Sequence, residues 1–370
     1  MVGAATGESD GRDGARAESR GLEIHFDRSE WPRTDFARGR VPLSEFEGVG
    51  RRDGIDAIRR PRLVDQRRAE RSLGPSEPVL VASVGRSARA YPLQILVWHE
   101  IVNDRLGGRP IAVTYCPLCN SSLIFERRVG GRTLEFEVSG VLRHSDLIMY
   151  DRQTESWWQQ LTGRAVVGRL AGARLRALNS QVMGWRNFRA RFPGARVLAP
   201  PRFYDRSYGR TPYAGYEDAG ERPFWFYARP VDRRLPPKER VAAVFADRQV
   251  VVVPFSRLRR GGALSIRVGS IPVLVTLERR VLSVLDRADI GSSRPVGTAA
   301  AFDRRLGHRT LSFSRAAGDL IDDQTGSRWD ALSGRAIAGP LRGRRLRPLR
   351  HDEQFWFALA AFYPRARIAR

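Results

Sequence analysis

Two cysteines, Cys116 and Cys119, are the whole thiol content of this 370-residue chain, and they stand two residues apart in Cys116-Pro-Leu-Cys119. That gap suits a metal chelate or a reactive dithiol better than a structural staple. His99 lies upstream on a stretch that reads as a helix, on the same face as Ile95, Leu96 and Val102, so its ring points inward. Met149 and His144 follow downstream. Thiolate with imidazole favours zinc or copper, and an added thioether moves the preference towards copper. The candidate ligand set is therefore Cys116, Cys119, His99 and Met149, with copper or zinc as the ion. The ordinary alternatives are a hydrogen-bonded core histidine for His99, core packing for Met149 and a solvated turn for His144.

A dithiol redox centre is the rival chemistry. In thioredoxin-like proteins the first thiol of such a motif is activated at a helix N-terminus. Here Asn120-Ser-Ser-Leu-Ile-Phe125 reads as a strand, so that activation is missing. A third reading is a binding module in which these residues only pack. Phosphate-binding loops, a dinucleotide fingerprint, a nucleophile elbow and a His-Glu-x-x-His zinc helix are all absent from the sequence. Glu100 and Asp104 read as capping or salt-bridging groups, or as acid–base groups beside a metal.

The elements that must position these residues occur twice. Phe125 to Phe136 aligns with Phe302 to Phe313 at eight identities in twelve, and Asp151 to Leu178 with Asp322 to Leu349 at sixteen in twenty-eight. The offset between the two blocks falls from 177 to 171, a loss of six residues in the second copy. The chain thus reads as an internal duplication. At the positions that match Cys116, Cys119, His99 and Met149, the second copy has Ser293 or Val296, Gly261 and Leu320, and His144 falls in the gap. Asp151, Thr154, Trp158, Gly163 and Gly168 persist as Asp322, Thr325, Trp329, Gly334 and Gly339 and serve the shared fold. The donors kept only in the first copy lack that explanation.

Within the first copy the spacing predicts a helix over 92–104, a strand from Pro110 ending at Cys116, and a hairpin around Gly130-Gly131. Further strands are expected over 147–150, 164–168 and 174–178, and a helix over 181–192. Strands and helices do not alternate strictly, so the fold class is α+β and strand-rich, in two tandem related units with the second degenerate. The expected organisation is a disordered tail at 1–20, a first unit at 21–200, an aromatic and proline-rich connector at 201–237 and a second unit at 238–370.

Net charge is +24, yet Lys238 is the only lysine and the arginines are scattered in ones and twos. Such a skew follows from codon usage, so nucleic acid is an unlikely partner on charge alone. No apolar run reaches the roughly 18 residues of a membrane-spanning helix. The N-terminus carries no apolar signal region, which places the chain as written in the cytoplasm; export of a longer precursor stays open.

The first copy also resembles a known family. Ala90-Tyr-Pro-Leu-Gln-Ile-Leu-Val-Trp-His-Glu-Ile-Val-Asn-Asp104, Thr114-Tyr-Cys-Pro-Leu-Cys119, Val138-Ser-Gly140, Tyr150 to Ser156 and Arg210-Thr-Pro-Tyr-Ala-Gly-Tyr216 are similar to the family catalogued as domain of unknown function 3179. The resemblance runs from about Asp53 to the C-terminus and brings no assigned activity. Its pattern has Asn where this chain has His144, which sets His144 aside as a ligand. Its members often look exported or lipid-anchored.

Overall fold

The computed structural model describes residues 26–218, 223, 230–316 and 318–369. The expected tail at 1–20 and part of the connector lie outside them. The fold is strand-rich α+β, built from several mostly antiparallel sheets and a few short helices. None of its helices, among the described residues, is long and apolar enough to cross a membrane.

Three sheets frame the cysteines. The first runs Arg176–Leu178, Ser121–Glu126, Arg109–Cys116, Ile101–Leu106, all antiparallel. A second sheet has the order Phe46–Gly48, Phe136–Arg143, Asp146–Asp151, Trp157–Gln159, Arg164–Val167. The third, centred on Pro78–Val84 and Ser87–Pro92, also holds Ser180–Gly184 on one side and Arg196–Leu198 in parallel on the other. A helix Leu93–His99 links the third sheet to the first.

Later residues run through a like order. Arg240–Ala246 and Gln249–Pro254 form a hairpin flanked by His351–Phe355 and Arg367–Ile368. Helix Phe255–Gly261 then leads into Ala263–Val268, Ile271–Glu278 and Thr298–Asp303. Certain buried bonds recur in both stretches. Trp158 Nε1 donates to Asp151 Oδ2 at 2.9 Å, as Trp329 Nε1 does to Asp322 Oδ2 at 2.9 Å. Thr154 and Thr325 each donate backbone N–H and hydroxyl to those same aspartates.

Two expected helices are shorter than the spacing predicts. Leu93–His99 is helical, but Ile101–Leu106 pairs as a strand with Arg109–Cys116. Likewise 181–184 belongs to the strand Ser180–Gly184, and the helix is Trp185–Arg191. In both places a ladder partner outweighs the local helical spacing, since strand pairing satisfies the same backbone groups and buries both faces.

The largest apolar cluster draws on both stretches. Around Cys116 and Cys119 it gathers Leu96, Ile101, Val113, Leu123 and Met149 together with Val284, Leu285, Ile290, Phe355 and Phe357. The Phe355 N–H donates to the Cys119 carbonyl at 2.9 Å, tying the later residues directly to the cysteine turn.

Candidate metal centre

Tyr115 and Cys116 end one strand, Ser121 starts the next, and Cys116 pairs with Ser121 across the turn. Pro117 and Asn120 close it: Asn120 N–H donates to the Pro117 carbonyl at 3.2 Å, and Tyr115 Oη donates to Asn120 Oδ1 at 3.1 Å. Asn120 has a positive φ of 50°, a conformation that asparagine tolerates better than most residues. Both cysteines are free thiols and fully buried.

A second turn meets this one. His144 and Ser145 connect Phe136–Arg143 to Asp146–Asp151 with φ of 52° and 60°, as a two-residue type I′ connection requires. It delivers the Ser145 carbonyl to 3.7 Å from Cys116 Sγ and Asp146 Oδ1 to 3.0 Å from Cys119 Sγ. One ligand atom from each of Cys116, Cys119 and Asp146 lies within 4.8 Å of the others, and all three residues are buried.

The surrounding bonds hold this geometry. Asp146 Oδ2 accepts from Gln159 Nε2 at 2.6 Å and from the Leu161 N–H at 2.9 Å, leaving Oδ1 aimed at the thiols. Ser121 Oγ lies 3.3 Å from Cys119 Sγ and donates to Gln160 Oε1, whose amide reaches Thr114. Metal ligands commonly need such oriented supports.

Burial dominates the electrostatics. It pushes the Cys116 thiol up and the Cys119 thiol far up. Burial also raises Asp146 to about 6, against the stabilising bonds from Cys119, Leu161 and Gln159. Glu100, also buried, is raised to about 8 by burial and by the neighbouring Asp146 charge. Arg143 favours the Asp146 carboxylate, but its guanidinium is already bonded to Glu45 and Gln159. Four acidic groups therefore meet in a low-dielectric core where their anionic forms are poorly compensated.

The family model described as "Protein of unknown function (DUF3179)" matches residues 52–366, a span that includes both cysteines and Asp146. The chain belongs to this family. Comparison with curated proteins and with solved structures gives no match.

In this DUF3179 protein the sequence-derived ligands separate. Cys116 and Cys119 come together. The His99 ring is held elsewhere: Nδ1 donates to the Asp56 carbonyl at 2.7 Å and Nε2 accepts from Tyr208 Oη at 2.7 Å. Burial lowers its pKa, consistent with a neutral ring bonded at both nitrogens. Met149 is fully buried in the same apolar cluster as the thiols, opposite Val138 and Trp158. Asp146 is the residue that sequence reasoning missed. In the sequence it falls within a turn, although on the offset of 171 it lies opposite Ala317, so that, like the cysteines, it has no matching residue in the later stretch.

Proposed function

We propose that this protein binds one zinc-class divalent cation through the Cys116 and Cys119 thiolates and the Asp146 carboxylate. The observation that carries the reading is the convergence of these three buried ligand atoms within 4.8 Å of one another. Two sulfurs and an oxygen suit zinc, which accepts mixed sulfur, nitrogen and oxygen sets; copper(I) prefers softer sets. Neutralisation of the crowded acidic groups supports the same conclusion. A dication would reverse the burial penalty on each of them, so binding draws on energy the metal-free core lacks.

A dithiol oxidoreductase is the weaker reading. Catalytic thiols need a lowered pKa and solvent access. Burial raises the pKa of both thiols and shuts them off from solvent, and the strand Ser121–Glu126, not a helix, follows Cys119.

The architecture we propose is a tandem duplication, with a site-bearing unit at 21–200, a connector at 201–237 and a degenerate partner at 238–370. The paired Trp–Asp and Thr–Asp bonds and the repeated order of strands support it. The second unit then acts as a wall of the site, through Phe355 and the 284–290 loop.

Loading the purified protein with zinc or copper, removing excess and counting metal tests the reading. Zinc retention that disappears in Cys116→Ser and Asp146→Asn is the expected result. Equal retention in both variants and the wild type would overturn it.

A further inference from the structure

The helix Leu93–His99 ends at Glu100, and its counterpart in the later stretch, Phe255–Gly261, ends at Gly262. Both helices have seven residues and a proline at the N-cap, Pro92 and Pro254. Glu100 N–H donates to the Leu96 carbonyl at 2.8 Å, and Gly262 N–H to the Leu258 carbonyl at 2.6 Å. The Glu100 and Gly262 carbonyls in turn accept from the next strand but one, from Tyr115 N–H at 2.8 Å and Leu277 N–H at 3.0 Å respectively. The backbone at both positions is left-handed, with φ of 55° at Glu100 and 69° at Gly262.

Glycine is the expected residue there, because a Cβ is strained at positive φ and helices commonly end on glycine for that reason. Glutamate at the same place carries two costs. It keeps the backbone strain, and it buries a carboxylate that is 7% exposed and accepts no hydrogen bond among the described residues. Strain of this kind persists where surrounding structure enforces it and clusters at functional sites. Here four of the eight non-glycine residues with positive φ among the described residues, Glu100, Asn120, His144 and Ser145, flank the thiol–carboxylate group. The Glu100 carbonyl accepts from the N–H of Tyr115, the residue before Cys116, so the cap abuts the start of the cysteine turn.

We propose that Glu100 supplies the fourth donor of the metal site, directly or through one bound water, and that the left-handed cap is kept as glutamate for that purpose. The inference rests on the metal reading above. Three protein ligands leave one position of a tetrahedral zinc open. The Glu100 oxygens lie outside the group whose ligand atoms are mutually within 4.8 Å, so direct ligation requires the side chain to turn inward, whereas a bridging water does not.

Glu100→Gly separates a ligand from a merely structural residue. Glycine is what the cap geometry favours, so the metal-free variant folds, with a melting temperature equal to or about 1–2 °C above the wild type. Its zinc affinity, by competition with a chromophoric chelator, falls at least tenfold, and cobalt(II) in the site shows altered visible absorption. Glu100→Gln, which keeps the strain and removes the charge, also weakens binding, so a misfolded glycine variant leaves a second route. Wild-type zinc affinity and an unchanged cobalt spectrum in both variants would overturn the inference while leaving the three-ligand site standing. A wild type that takes up neither zinc nor cobalt would overturn the metal reading itself, and this inference with it.

Discussion

Cys119 Sγ lies 3.0 Å from Asp146 Oδ1, although Cys119 sits in a turn between two strands of one sheet and Asp146 opens a strand of another. Their meeting is the product of two tight connections, Cys116–Asn120 and His144–Ser145, pressed into one apolar core. A thiol beside a carboxylate in such a place is stabilised only while the proton between them stays or a cation replaces it.

Metal uptake by this pair should therefore release protons and strengthen as pH rises. Both thiols are raised by burial and Asp146 is raised to about 6, so ligation must displace protons that the metal-free core holds tightly. Zinc titrations in weakly buffered solution should show acidification, and apparent affinity should climb between pH 6 and 8. A pH-independent affinity with no proton release would mean that the ion binds elsewhere.

The metal-free protein should show the opposite trend in stability. Glu100 has an ordinary value of 4.5 and is raised to about 8 in the fold. A carboxyl raised on folding contributes no penalty below its unfolded value. As pH rises from about 4.5 towards 8, the unfolded chain gives up a proton that the folded chain retains, and stability falls by up to about 1.4 kcal/mol per pH unit. Chemical denaturation across that range should show the decline, and Glu100→Gln should flatten it. A variant with the same slope as the wild type would assign the decline to other groups.

Much of the frame was legible in the sequence. The strand ending at Cys116, the Gly130-Gly131 turn and the similar blocks around Asp151 and Asp322 all follow from local chemistry, and the structure places strands and turns there. Residues 101–106 were not legible, because Ile101 and Val102 fit a helical face and a strand equally well until a partner strand is known. Asp146 escaped for a similar reason: an aspartate in a turn ordinarily caps or solvates, and only the tertiary fold turns it towards the thiols. Glu100 read as a cap, and it is one, but its left-handed backbone, and a carboxylate that accepts no hydrogen bond among the described residues, become visible only in three dimensions.

The two aspartates that accept from buried tryptophans, Asp151 and Asp322, should be structurally equivalent. Asp151→Ala removes the acceptor of the Trp158 indole and of the Thr154 N–H and hydroxyl, all buried. Asp322→Ala does the same to Trp329 and Thr325. Each should cost about 3 kcal/mol in denaturant unfolding, because several buried donors lose partners together. A large loss in one and none in the other would contradict the shared role.

Gly168→Ala and Gly339→Ala give a second matched pair. A Cβ would stand 2.8 Å from Ser156 Cα in the first and 2.7 Å from Ser327 Cα in the second, at φ of 97° and 87°. Backbone contact and left-handed strain coincide, so both variants should lose about 2 kcal/mol or more. Thermal unfolding of the two, compared with Gly130→Ala in an open turn with nothing within 4 Å, separates packing from conformational cost.

The most direct test is elemental analysis by inductively coupled plasma mass spectrometry on untagged protein produced in zinc-supplemented medium, with free thiols counted in the same sample. About one zinc per chain, lost in both Cys116→Ser and Asp146→Asn, is the predicted result. Less than a tenth of an equivalent of any transition metal, with both thiols reduced and available, would contradict a metal site at Cys116, Cys119 and Asp146.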